Sequence, residues 1–223
     1  MLALKLLDGL DRHISSRILL TRSGDTWGRE LYRSGSTRFA GLRGAAYFGL
    51  AETAVALLNM RKWDLSATDV AGNMAILWAA RNGHRVVLEV LLEQEGATPN
   101  TVDQEGRTPL SLAAEWGHGD VVRILLERED LTPNTAHEYG RTPLSWATGG
   151  GHNSIVETLL VRGDVAPDTP DREGRTPLSW AAGGRHGSIV EILLARMMSP
   201  LLPWIETVER LYRGQPSLGV RTL

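Results

Sequence analysis

Four histidines stand at positions 84, 118, 152 and 186, a constant interval of 34, and they are the first candidates for chemistry. A row of imidazoles reads either as a metal ladder or as a set of proton carriers. Packed helices lie about 8–10 Å apart, whereas zinc takes its nitrogens at about 2.0–2.1 Å. Neighbouring members of the row cannot share one ion. The spacing instead predicts that each imidazole bonds backbone groups between successive units. Ser111, Ser145 and Ser179 recur on the same interval. A catalytic serine needs a base and an orienting group placed once, and none of the three stands in Gly-x-Ser-x-Gly. Arg107, Arg141 and Arg175 form a third row. It could track an anionic peptide, or pair at the surface with nearby acids such as Glu105, Asp171 and Glu173, which the mixed signs of the region favour. Trp78, Trp146 and Trp180, with Leu112 in the fourth place, form the last row. Aromatics there could be partner hot spots or could seal a seam, and the recurrence of the slot favours the seam. Trp116 stands outside the row, where the other copies carry Asn82, Gly150 and Gly184, and is the better contact candidate.

The elements that position these rows repeat with them. Gly140-Arg-Thr-Pro-Leu-Ser-Trp-Ala-Thr148 returns at Gly174–Ala182 and, with Leu112 for tryptophan, at Gly106–Ala114. A worn copy begins at Gly72. A fixed period of this size marks a stack of identical supersecondary units. In the unit starting at Gly106, the glycine suits a hairpin tip with positive φ. Thr108 can cap a helix that opens on Pro109, where the missing N–H costs nothing. Leu110, Ala113 and Ala114 share one helical face, and Gly117 supplies the left-handed stop. A second helix follows with Val121, Val122, Leu125 and Leu126 turned inward. Thr132-Pro133-Asn134-Thr135 then breaks the pattern, as do Pro99-Asn100-Thr101 and Pro167-Asp168-Thr169. Neither helix buries its apolar stripe alone, so the units must stack.

The fold class is therefore all-α, a solenoid of paired antiparallel helices with hairpin tips, about five repeats plus helical caps. Residues 1–37 read as an N-terminal amphipathic helix over 1–21 and a Gly/Ser/Arg-rich connector. Repeat 1 spans 38–71 in degenerate form. Repeats 2, 3 and 4 span 72–105, 106–139 and 140–173, and a truncated repeat 5 spans 174–199. Residues 200–223 read as a C-terminal cap helix over about 202–213, carrying Trp204, Ile205, Val208, Leu211 and Tyr212, and a tail.

Composition narrows the function. The chain has 223 residues, 42% of them hydrophobic, and a formal charge of −2. Without a basic excess, no nucleic acid partner is expected. No apolar run approaches the ~20 residues that span a membrane, so no membrane partner is expected either. There is no cysteine, which removes disulfides, thiolate nucleophiles and cysteine–zinc sites and suits a reducing compartment. A cytoplasmic monomer, with the nucleus as an alternative location, is the expectation.

Gly-x-Thr-Pro-Leu-x-x-Ala-Ala, then Gly-His, then a Val/Ile-Val-x-x-Leu-Leu helix, resembles the ankyrin repeat over about 38–196. The Thr-Pro-Leu-Ser-Trp-Ala-Ala wording and Gly44-Ala-Ala-Tyr-Phe-Gly49 are similar to the ankyrin arrays of fungal proteins of the NACHT–ankyrin type. No Gly-x-x-x-x-Gly-Lys-Ser/Thr phosphate loop occurs in this chain. The resemblance implies a non-enzymatic module with no cofactor or metal, binding a protein or peptide partner on a concave face lined by the first helices and the tips. By position it assigns partner contact to Asn73, Gln104, Glu105, Glu138, Tyr139, Arg172 and Glu173 at the tips, with Val70 and Ala71. Arg81, Glu115 and Trp116 join them near the ends of the first helices. Three departures carry expectations. Serine replaces the family's histidine after Thr-Pro-Leu, so a Thr–Ser bond should take over. Met74-Ala75 replaces Thr-Pro, so that helix should fray. After Arg196 the expected acidic-valine loop gives way to Met197-Met-Ser-Pro-Leu-Leu-Pro203, so a closing cap helix should follow. Apart from these, Gly149-Gly150-Gly151 and Gly183-Gly184 lack a following phosphate-binding helix pattern and read as loosened helix ends, not nucleotide sites.

Overall fold

In a computed structural model of the protein, the described residues are 41–59, 65, 66, 68 and 72–198. The expected helix over 1–21, the connector and the cap helix over 202–213 lie outside them, as do Val70 and Ala71. The described residues form five helical hairpins and no strand. They pair α1 (Gly41–Phe48) with α2 (Ala51–Asn59), α3 (Ala75–Arg81) with α4 (Arg85–Leu92), and α5 (Pro109–Trp116) with α6 (Gly119–Leu126). They continue with α7 (Pro143–Gly150) and α8 (Asn153–Val161), then α9 (Pro177–Gly183) and α10 (Gly187–Met198). First helices pack on first helices in the order α1, α3, α5, α7, α9, and second helices on second helices in the order α2, α4, α6, α8, α10. One continuous core runs between the two layers.

The start of each first helix follows from its sequence. Thr108, Thr142 and Thr176 hold extended backbone, and each side-chain oxygen accepts the N–H three residues on, from Ser111, Ser145 and Ser179. Proline occupies the first turn, where no donor is lost. The serines close the box from the other side. Ser111 Oγ donates to the Thr108 carbonyl at 2.9 Å, and Ser179 Oγ to that of Thr176 at 2.8 Å. In the middle copy Thr142 Oγ1 and Ser145 Oγ bond each other at 3.2 Å. The expected Thr–Ser replacement is therefore present in all three. Helix α3 begins after Met74 with no side-chain cap, which leaves its first N–H groups without the intrachain acceptor that its neighbours have.

The turn between the helices carries the stacking rule. Gly49, Gly83, Gly117 and Gly151 all adopt positive φ. Each lies directly under the imidazole of the next unit: a Cβ there would sit 2.5–2.7 Å from the ring of His84, His118, His152 or His186. Each histidine places Nε2 against a carbonyl of the preceding unit, on Tyr47 at 2.9 Å, Arg81 at 2.9 Å, Glu115 at 3.1 Å and Gly149 at 3.2 Å. A carbonyl only accepts, so Nε2 carries the proton in all four. The glycine is thus needed twice, for its own φ and for the ring above it.

The glycine-rich ends differ from expectation in an instructive way. Helix α7 runs through Gly149 and Gly150 and stops at left-handed Gly151, so this end is regular. Helix α9 ends at Gly183, Gly184 stays right-handed, and Arg185 takes the left-handed turn at φ 60. Arg185 occupies the register slot of the stacking glycines. Left-handed backbone costs a side-chain-bearing residue roughly 1–2 kcal/mol. Arg185→Gly is therefore expected to raise unfolding stability by about 1 kcal/mol, read as a higher denaturant midpoint at constant slope. A lower midpoint would show that the arginine makes a compensating contact.

A second staple joins the loops. Asn100 Nδ2 donates to the Asp130 carbonyl at 2.6 Å, and its Oδ1 accepts the Thr132 N–H at 2.8 Å. Asn134 repeats this toward Asp164 and Ala166. The sequence marks these positions only as helix breakers. Their amides can bridge units because one group both donates and accepts, and Asp168 in the next copy has no such donor.

Candidate functional site

The tips are tight hairpins whose shape comes from one side chain each. Asp103 N–H donates to the Arg107 carbonyl, His137 to that of Arg141 and Asp171 to that of Arg175. Adjacent tips are tied through the backbone, Glu138 N–H to the Glu105 carbonyl at 2.9 Å and Arg172 N–H to the Tyr139 carbonyl at 3.0 Å. The row of tips is therefore held in register independently of its outward side chains.

On this frame Gln104, Glu105, Glu138, Tyr139, Arg172 and Glu173 are exposed. Glu105 and Glu173 also pair with Arg107 and Arg175 at 3.3 and 2.9 Å. Tyr139 is 59% exposed, and the Glu138 carboxylate beside it keeps its hydroxyl protonated above the ordinary range. Trp116, at the last position of α5, is 52% exposed. Arg81 lies between the rings of Trp78 and Trp116, at 5.5 and 5.4 Å from their centroids. Glu115 is half-buried. Burial raises its carboxyl pKa against the pull of Arg107, Arg81 and Arg141, and its Oε2 has no hydrogen-bond partner among the described residues.

One positional assignment fails. Asn73 is only 4% exposed and belongs to the interior, not to a contact surface. It follows the tip glycine Gly72 directly, where the chain turns inward toward α3.

The tryptophan row packs along the seams. Trp78 is 5% exposed and meets Tyr47 of the preceding hairpin edge-on at 5.1 Å. Trp180 lies under Arg141 of the preceding unit at 3.8 Å and under Arg175 of its own at 4.1 Å. The arginine row is only partly as expected. Arg107 pairs with Asp103 and Glu105, and Arg175 with Asp171 and Glu173. Arg141 forms no ion pair among the described residues, because the register position of Asp103 and Asp171 is His137 in its unit. Sequence reading missed this, although an Asp-His-Asp series at 103, 137 and 171 is its visible signal.

Two histidines, His118 and His137, make the fold acid-sensitive. Burial lowers the His118 pKa, partly offset by the bond of its Nε2–H to Arg81. Burial also lowers that of His137, whose Nδ1 accepts the Arg141 N–H at 3.0 Å. A histidine with a depressed folded pKa is protonated more readily in the unfolded chain. Its contribution is complete above the unfolded value of about 6.5 and is lost as pH falls through the folded one. Melting temperature is therefore expected to drop between pH 7.5 and pH 5. A temperature that stayed level or rose across that window would contradict neutral, buried imidazoles.

Among the described residues no helix is long and apolar enough to cross a membrane. Comparison with the curated proteins finds no match. The family model of ankyrin repeats (three copies) matches residues 42–136 and 129–200, the span that holds all five hairpins. The capped first helices, the glycine turns under histidines and the linked tips therefore have one source: the chain belongs to the ankyrin-repeat family.

Proposed function

We propose that this array is a non-enzymatic interaction module that binds a protein or peptide partner with its tips and first-helix ends, the concave side in the family's geometry. The observation that carries this reading is the placement of the exposed aromatics. Trp116 and Tyr139 are the large aromatic side chains exposed among the described residues, Trp116 at the end of a first helix and Tyr139 at a tip. Rigid aromatics on a pre-organised frame lose little entropy on binding and are the commonest interface anchors. The repeated serines support the same reading, because Ser111 and Ser145 are buried cap partners and have no base beside them in the bonds they make. The units are delimited as five repeats from residue 38 to 199, the last one truncated.

The test is a pull-down from native cell extract with the full chain and with a Trp116→Ala, Tyr139→Ala, Arg172→Ala variant. The variant is expected to melt close to the wild type, since exposed substitutions typically change stability by about 0.5 kcal/mol or less. A protein retained by the wild type and lost by the variant locates the contact surface. Equal retention by both would place the contact on the second helices or the termini, away from the tips. A second reading, the sensing region of a fungal NACHT-type receptor, draws on the Thr-Pro-Leu-Ser-Trp-Ala wording and stands or falls on a nucleotide-binding module in the full gene. Residence in the cytoplasm or nucleus, as a monomer, fits either reading.

A further inference from the structure

Two of the three aligned tips are organised by an aspartate. Asp103 accepts the N–H groups of Glu105 and Arg107 on Oδ1, at 3.0 and 2.8 Å, and Arg107 Nε on Oδ2 at 2.8 Å. Asp171 does the same for Glu173 and Arg175, at 2.9, 2.9 and 3.0 Å. Its Oδ2 also accepts Trp180 Nε1 at 3.2 Å. One carboxylate oxygen thus serves a guanidinium and an indole together.

The middle tip has the same two donors and no such oxygen. His137 keeps the hairpin, its Nδ1 taking the Arg141 N–H. Arg141 Nε and Trp146 Nε1 are left buried with no acceptor among the described residues. The guanidinium is held between indoles, 3.6 Å from the Trp146 centroid and 3.8 Å from that of Trp180. Glu115 acts on it only from beyond ion-pair distance, and its field is shared with Arg81 and Arg107. A buried donor without a partner is costly, and a charged one more so. Such breaks in an otherwise consistent pattern are expected where function requires them.

We propose that Arg141, Trp146 and Trp180 form a carboxylate receptor, which takes an aspartate or glutamate side chain of the protein partner in place of the acid that flanking units carry internally. The proposal rests on the protein-binding reading above. Asp171 defines the ligand chemistry, because its oxygen already satisfies the equivalent pair of donors one unit away. Tyr139, exposed and 5.5 Å from the His137 ring, marks the approach. The His137 ring stands edge-on to Trp146 at 5.2 Å, in the register position that Asp171 holds one unit on. A neutral side chain has no charge to offset that of Arg141, so selectivity is for the anion.

Three full-length chains test this: wild type, His137→Asp and His137→Asn. Aspartate supplies the missing acid internally and should compete with the partner's, while asparagine restores a short polar side chain without charge. A random peptide library is selected on the wild type, and the enriched peptides are titrated against all three chains, with melting curves as the check on folding. Enriched peptides should share an acidic residue, and replacing it by its amide should weaken binding about tenfold, the scale of one charge-assisted bond. His137→Asp should weaken binding by a similar factor while melting no lower than the wild type. His137→Asn should bind nearly as the wild type does. Enriched peptides without a shared acid, or equal binding by His137→Asp, overturn the carboxylate receptor and leave the interaction module standing. Equal loss in His137→Asn and His137→Asp assigns recognition to the imidazole and also overturns it. Failure to enrich any peptide counts against both readings.

Discussion

Leu159→Ala is expected to lower the free energy of unfolding by about 2–5 kcal/mol. Leu159 is fully buried in α8, which packs between α6 and α10 as well as against α7. Truncation removes apolar contacts on several sides at once and leaves a cavity that flanking helices, each tied to its own partner, can close only in part. Because stability in a stack is a sum over neighbouring interfaces, a central leucine weakens two of them. Leu194, 41% exposed on α10, is the internal control, and its truncation should cost far less. Denaturant titration of both variants checks this. A loss below about 1 kcal/mol at Leu159, the scale of a single buried methylene, would contradict a continuous packed core.

Gly117→Ala is expected to cost about 2–4 kcal/mol, from two terms that act together. Its φ of 78 is disfavoured for any L side chain by roughly 1–2 kcal/mol. The new Cβ would also lie 2.7 Å from His152 Cε1, and overpacking of this kind typically costs 1–3 kcal/mol. The ring cannot retreat without giving up its bond to the Glu115 carbonyl. A double-mutant cycle with His152→Ala separates the terms, since removing the ring relieves the clash and leaves the backbone strain. Additive effects in that cycle would mean that the histidine does not rest on the glycine.

The fold was legible because the period exposes everything that repeats. Thr-Pro starts, Gly-His turns and the Leu-Leu faces each answer one physical need, and the same need recurs every unit. The histidine row illustrates this: spacing alone excluded a shared ion, and the structure adds which carbonyl each ring bonds. What the sequence did not disclose are the consequences of breaking the repeat. His137 looks like one more tip residue until Asp103 and Asp171 are seen bridging arginine to backbone, and only then does Arg141 stand out as lacking an acid among the described residues. Arg185 likewise reads as an ordinary surface residue until its left-handed backbone shows that it occupies a glycine slot. Asn73 failed for the opposite reason. Position relative to a tip glycine does not say which way a side chain turns, and the chain there already heads toward the core. Asn100 and Asn134 were hidden because breaking a helix and stapling two loops demand the same small polar residue.

The most direct measurement is amide hydrogen exchange on the chain with and without the captured partner. Binding through the tips and first-helix ends predicts added protection in segments 104–116, 138–146 and 172–180. The second helices α4, α6 and α8 should exchange as they do in the free chain. Protection concentrated on those second helices, with the tips unchanged, would contradict the account.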